Sequence, residues 1–203
     1  ERSRRVWDRW SDYYDKSEAD YEPMRKTAIE YLDLQPGDTV LDIGCGPGVN
    51  FAFLRDAVGP DGRVVGVDYS PAMVERAERR VADHGWENVT VCRADATTAD
   101  LEACDAALAT LSMSVLPDIE RGARNVRGAL APDGRFVVFD VRPVPSGPLR
   151  LLNPLVVRFI RWYANWNTEE DVMPALERVF EETRVVETYF AGANYTVVAE
   201  NSA

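Results

Sequence analysis

The spacing of apolar positions changes several times along the chain, and each change marks an element. Residues 3–21 carry Val6, Trp10, Tyr13 and Tyr14 at helical spacing, with acidic residues and arginines between them, which predicts an amphipathic helix. A second helix is predicted over 23–33, ahead of the turn Gln35-Pro36-Gly37-Asp38. Thr39–Ile43 then reads as a buried strand, followed by a glycine-rich loop and a helix to Val58. Gly59-Pro60-Asp61-Gly62 is a turn, and Arg63–Val67 is a second strand that ends at Asp68. Ser70 and Pro71 suit the cap and first turn of a helix that runs to Asp83.

Three more strands are predicted at Val89–Cys92, Ala106–Ala109 and Arg135–Val141, with a helix over Ile119–Leu130 before the last. Asn167 or Thr168 caps a helix to Phe180. Two final strand patterns, 184–190 and 195–200, are joined by Ala191-Gly192-Ala193-Asn194, which predicts a hairpin. Strands that alternate with helices place the chain in the α/β class. The expectation is a seven-stranded, mostly parallel sheet with helices on both faces, closed by an antiparallel C-terminal hairpin.

Composition narrows this picture. A chain of 203 residues, 46% of them hydrophobic, suits one domain over 1–203, with 1–34 as a helical cap and 142–166 as an insertion. A net charge of −11 argues against nucleic acid as a partner, because phosphate binding needs a basic face. Lys16 and Lys26 are the only lysines, so the acidic, lysine-poor composition resembles that of proteins from salt-rich cytoplasm. Cys45, Cys92 and Cys104 form no CxxC pair or Cys/His cluster, so neither a disulfide framework nor a bound metal is expected. With no signal-peptide pattern and no apolar run of about 20 residues, a cytoplasmic protein is expected.

The candidate chemistry centres on Val40-Leu41-Asp42-Ile43-Gly44-Cys45-Gly46-Pro47-Gly48-Val49. Glycines allow a sharp turn and close approach of a ligand to the backbone. The N-terminus of the following helix offers free N–H groups. Dinucleotide binders need GxGxxG or GxGxxA, whereas this loop is GxGxG with Val49 next, and Pro47 removes one donor. The spacing favours S-adenosyl-L-methionine (SAM) over NAD. Asp68, 20 residues after Gly48, stands where a carboxylate can accept both ribose hydroxyls of either cofactor.

The runs VLDIGCGPG, VVGVDYS, RADAT and DAALATLSMSVLPD resemble the class I SAM-dependent methyltransferases over residues 36–141. The N-terminal WDRWSDYYD is similar to the start of quinone-ring and phospholipid methyltransferases of that superfamily. The resemblance implies a Rossmann-like fold, SAM as methyl donor and S-adenosyl-L-homocysteine (SAH) as product. It places Gly44 and Gly46, with Cys45 and Gly48 in the same loop, against the methionine part of the cofactor, and Asp42 near its amino group. It gives Asp68 the ribose, Tyr69 a face of the adenine, and Asp95 the adenine amino group beside Ala96. Leu111 and Ser112 would lie near the sulfonium, and Tyr14 would reach over the cofactor. The residues also admit plainer roles: Asp95 as a turn cap, Tyr14 as a core aromatic, and Leu111 and Ser112 as loop packing.

Methyl transfer is a displacement that needs alignment above all, which supplies roughly 7–11 kcal/mol. No metal or enzyme nucleophile is required. His84 is assigned to the wrong end of the sheet, while Asp140 and Arg142 follow a strand at the ligand-binding end and join Tyr14 as candidate acceptor contacts. Residues 149–166, LRLLNPLVVRFIRWYANW, are apolar with arginines and no acid; Asn153 and Pro154 suit a helix start, and Arg158 and Arg161 share a face. This segment reads as a core helix, as a lid over an apolar acceptor, or as a peripheral membrane contact. The acceptor expected is small, apolar or aromatic, and lipid- or quinone-like; a non-catalytic binding protein on the same fold is the alternative. Oligomeric state stays open between monomer and homodimer.

The residues also argue against neighbouring classes. No lysine follows Lys26, so the Tyr-x-x-x-Lys pair of short-chain oxidoreductases has no counterpart. Ala109-Thr110-Leu111-Ser112 replaces the D/N-P-P-Y/F run of DNA amino-methyltransferases, and no cysteine follows a proline as base C5-methylation requires.

Overall fold

The computed structural model describes residues 14–155, 157, 158, 166, 167 and 170–200, with side chains from Asp20 onward. Seven strands form one sheet: β1 (Thr39–Ile43), β2 (Arg63–Asp68), β3 (Val89–Arg93), β4 (Cys104–Thr110), β5 (Leu130–Val141), β6 (Glu182–Tyr189) and β7 (Asn194–Glu200). Their order is β3-β2-β1-β4-β5-β7-β6. The first five strands run parallel, and β7 is antiparallel to both β5 and β6. The expected fold class is therefore found, closing hairpin included.

Alternate strand residues feed two apolar layers, as the pleat requires. Val40, Ala106, Leu108, Val137, Phe139 and Val198 face α1 (Tyr14–Glu30), α2 (Phe51–Val58) and α3 (Pro71–His84). Leu41, Ile43, Ala107, Phe136, Val138 and Val197 face α4 (Ile119–Ala129) and α5 (Val172–Val179). A sheet covered on both faces explains why the central strands read as near-continuous apolar runs.

The structure departs from the sequence reading at four places. The two helices expected over 3–21 and 23–33 are, from Tyr14 on, one helix with Pro23 inside it; residues 1–13 lie outside the described set. Proline forfeits one backbone hydrogen bond, but burial of Ala28, Ile29 and Leu32 against the sheet holds the helix together. Strand β5 starts at Leu130 rather than Arg135, because Leu130 already pairs with Cys104 across an irregular register. The last helix starts at Val172, capped by Asp171, whose side chain accepts from the Met173 N–H at 3.4 Å. Pro174 in its first turn sets that start; Asn167 instead donates to the Leu116 carbonyl at 3.0 Å, and Thr168 lies outside the described residues. Asn153 stands inside the helical turn 153–155 rather than before it, with Pro154 in the first turn as expected. Its amide accepts from the Val144 N–H and donates to the Val144 carbonyl, both at 3.0 Å.

Candidate active site

The glycine-rich loop leaves the carboxyl end of β1 and is tied to β2 at once. The Val67 carbonyl accepts from the N–H groups of Gly44 at 2.8 Å and Cys45 at 3.1 Å. The Gly46 N–H donates to Oδ2 of Asp68 at 2.9 Å, and the Ser70 N–H donates to Oδ1 at 2.8 Å. Each carboxylate oxygen is thus held by a backbone amide.

Gly44, Gly46 and Gly48 all take positive φ, at +66°, +55° and +78°. A Cβ at Gly44 would lie 2.5 Å from the Ser112 Cβ, and one at Gly48 would lie 2.4 Å from the Phe51 ring. At Gly46 a Cβ would meet nothing within 4 Å. The outer two glycines serve close packing, and the middle one borders open space beside Asp68. Gly44→Ala is expected to lower stability by about 2 kcal/mol or more, from overlap and backbone strain. Gly46→Ala is expected to fold with about 1 kcal/mol of strain and to lose cofactor affinity, because its methyl enters the open space. Thermal melting and SAH calorimetry on the two variants separate these roles.

Asp42 lies beneath the loop, fully buried. Asn50 Nδ2 donates to both of its oxygens at 3.2 Å and to Thr110 Oγ1 at 3.0 Å. Burial pushes the Asp42 carboxyl up to about 7, and the Asp68 charge adds to this; the Asn50 hydrogen bond and the Arg25 charge pull the other way. Arg25 arrives from α1 and is 4% exposed. Asn50 Oδ1 is buried without a hydrogen-bond partner. The sequence reading missed both residues. Their signals were faint: a polar residue at a helix start that caps nothing, and an arginine on the apolar face of α1.

The end of β4 closes the site's third side. Leu111 adopts φ +55°, a left-handed conformation that costs a branched residue on the order of 1 kcal/mol or more. It is held there by its N–H, which donates to the Phe139 carbonyl at 2.7 Å. Ser112 Oγ donates to the Ile43 carbonyl at 2.6 Å, stitching β4 to β1. Tyr69 is exposed beside Asp68. Asp95 Oδ1 accepts from the Thr97 N–H at 2.9 Å and from its hydroxyl at 2.7 Å, and the Ala96 carbonyl accepts from Asn125 at 2.9 Å.

Asp140 and Arg142 both have internal partners at the end of β5. Asp140 is fully buried and accepts from the Ser114 hydroxyl at 2.6 Å, the Ser114 N–H at 2.9 Å and the Val141 N–H at 2.8 Å. Burial raises its pKa to about 6 against those hydrogen bonds. Arg142 Nε donates to the Gly192 carbonyl at 2.9 Å, and the guanidinium lies 4.6 Å over the Tyr195 ring. Tyr14 opens α1, and its side chain lies outside the described set. His84 stands at the opposite end of the sheet, stacked on Trp86 at 4.5 Å.

Beside β5, on the α1 face, aromatic rings gather. Tyr21 of α1 lies 6.1 Å from Phe139, and Tyr189 meets Phe139 edge-on at 6.3 Å. Asn194 pairs in register with Val141 and Tyr189, and Thr196 with Phe139, so their side chains share that face. Asn194 Nδ2 and Thr196 Oγ1 are both buried without a hydrogen-bond partner. Among the described residues, no group of three or more His, Cys, Asp or Glu side chains could hold a metal ion.

A parallel sheet with positive-φ glycines after its first strand and an amide-anchored aspartate after its second defines a nucleoside-cofactor α/β domain. Residues 34–193 match the family model described as a methyltransferase domain, and the chain belongs to that family, in its class I, SAM-dependent form. It is 32% identical over 155 residues to nocamycin O-methyltransferase of Saccharothrix syringae, covering 72% of this chain and 55% of that one. It is 27% identical over 185 residues to 2-phytyl-1,4-naphtoquinone methyltransferase of Trichormus variabilis, covering 87% and 76%. The chain thus spans about half the length of the nocamycin relative. A SAM-dependent methyltransferase structure from Thermotoga maritima superposes with a TM-score of 0.73 over 98% of this chain and all of that one, at 20% identity, which attests the fold. SAM is the cofactor of this family, and the open space at Gly46 beside the anchored Asp68 fits it.

Proposed function

We propose that this chain transfers a methyl group from SAM to a small, apolar or aromatic acceptor of quinone- or lipid-like character. The observation that carries the reading is Asp68, locked between the amides of Gly46 and Ser70, next to the space that Gly46 leaves open. When bound, SAM supplies a methyl group on a sulfonium that is already an activated leaving group. The chain's own residues bind and orient. Asp68 holds the ribose hydroxyls, Tyr69 flanks the adenine, and Asp95 with Ala96 borders its amino group. Gly44, Cys45, Gly46 and Gly48 cradle the methionine part. Asp42 and the unpartnered Oδ1 of Asn50 provide acceptors for its ammonium. Leu111 and Ser112 lie nearest the sulfonium.

The rings of Tyr21, Phe139 and Tyr189, with the spare polar atoms of Asn194 and Thr196, form the acceptor side. An aromatic acceptor bearing an oxygen would stack on the rings and satisfy Asn194. The names of the nocamycin and phytyl-naphtoquinone relatives agree with an acceptor of this class. Asp140, through Ser114, and Arg142, through Gly192, hold the end of β5 in place. The protein acts in the cytoplasm as a monomer or homodimer, in keeping with its three free cysteines.

Calorimetry with SAH in high potassium chloride, with NAD as control, is the first test. Micromolar SAH binding and none for NAD are expected, followed by transfer of labelled methyl to a naphthoquinol. A folded protein that binds no SAH would overturn the reading. Binding without transfer to any acceptor would instead establish the non-catalytic alternative.

A further inference from the structure

No acidic residue stands between Asp140 and Glu169, in a chain of net charge −11. Arg142, Arg150, Arg158 and Arg161 all fall in that window. Its described part is pinned to the sheet. Asn153 clamps the Val144 backbone from both sides, and Arg142 donates to the Gly192 carbonyl. Pro145 packs so closely that a Cβ on Gly192 would come within 3.0 Å of its Cγ. The turn Pro148–Leu152 therefore stands beside the β6–β7 link, which carries Phe190 at φ +49°.

From this clamp the apolar side chains point outward. Leu151 is 85% exposed, Leu155 70% and Phe190 62%, with Leu149 and Leu152 also exposed. Leu151, Leu155 and Arg158 follow one another at i, i+4 and i+7, so helical geometry puts them on one face. Single exposed leucines need no account, but a cluster of this size marks a contact surface. Its charge decides the partner. A two-fold contact with a second copy would set this carboxylate-free window against itself, so Arg150 and Arg158 would find no acid within it to pair them. A bilayer surface bearing phosphates accepts both features: leucine and phenylalanine enter the interface, and the arginines reach the headgroups. Acidic residues farther than a Debye length, about 10 Å at 0.1 M salt, oppose this weakly.

We propose that Leu149, Leu151, Leu155 and Phe190, with Arg150 and Arg158, dock the protein on an anionic lipid bilayer. The surface lies at the carboxyl end of β5, the end that carries the cofactor loop, so an apolar acceptor dissolved in the bilayer meets the site from that side. The inference stands independently of methyl transfer.

The full chain is centrifuged at about 0.1 M salt with vesicles of phosphatidylcholine alone, and of phosphatidylcholine with phosphatidylglycerol. Binding to the anionic vesicles is expected, weak on phosphatidylcholine alone, and reduced about tenfold or more in L151E/L155E. R150Q/R158Q is expected to weaken binding and flatten its salt dependence. SAH calorimetry on the same variants, with unchanged affinity, shows that they are folded, and it fails separately if the cofactor reading is wrong. Absence of pelleting, or equal pelleting of L151E/L155E, overturns the proposal. Concentration-dependent dimers abolished by L151E/L155E, without pelleting, would assign the surface to a second copy and overturn it as well.

Discussion

Asp68→Ala weakens SAH binding by about 10²–10³-fold while leaving a folded protein. In the proposed site the carboxylate accepts from the ribose hydroxyls, and each charge-assisted bond of that kind contributes about 1.5–3 kcal/mol. Loss of the anchor also frees the Gly46 amide, which loosens the loop at the point where the cofactor must approach. The fold loses less, about 1–2 kcal/mol, because both amides are only partly buried and water can replace the carboxylate. Calorimetry and thermal melting on one preparation test both halves. Affinity within about threefold of the parent protein would remove Asp68 from the cofactor site.

Asp42→Asn acts in the opposite sense on stability. The native carboxyl titrates near 7, against a reference value of 3.8 in the unfolded chain. Below the lower value both states hold the proton and nothing is lost. As pH rises toward 7, the unfolded chain ionises first and unfolding becomes easier; above 7 the whole penalty is present, roughly 2–4 kcal/mol. An amide at position 42 carries no such penalty and can donate to the buried Asn50 Oδ1 that lacks a partner. The cofactor-free variant therefore melts near the parent protein at pH 4 and above it at pH 8, by roughly 5–10 °C. SAH affinity falls about tenfold or more, since a neutral amide holds an ammonium less well than a carboxylate. Equal melting temperatures at pH 8 would show that the buried carboxyl is not strained. Asp140, raised to about 6, adds a similar slope that this substitution leaves in place.

Much of the framework was legible because buried parallel strands write short apolar runs between Gly and Pro turns. Strands β1 and β2 fell where those runs predicted, and β3 and β4 within about two residues. What failed were places where a distant partner overrides a local signal. Pro23 reads as a helix break until the packing of α1 on the sheet is known. The strand pattern starts at Arg135, yet β5 begins at Leu130 and runs through Pro132-Asp133-Gly134 because Leu130 already pairs with Cys104. The loop and Asp68 were recognisable for a local reason, since left-handed backbone in succession demands glycine. Asn50 was not, because its role depends on Thr110, which is 60 residues away in sequence. Nothing near Asn194 or Thr196 in the chain marks their side chains as buried without partners; only pairing with β5 and β6 does so.

The position of β7 has a consequence for how the protein is made. It is the last of the seven strands to leave the ribosome, yet it lies inside the sheet, between β5 and β6. Until it emerges, the apolar run Phe136–Phe139 of β5 has an open edge and β6 has nothing to pair with. The nascent chain therefore carries a sticky, unfinished sheet through most of its synthesis, and a message cut short before residue 194 yields a protein that aggregates rather than one lacking a tail.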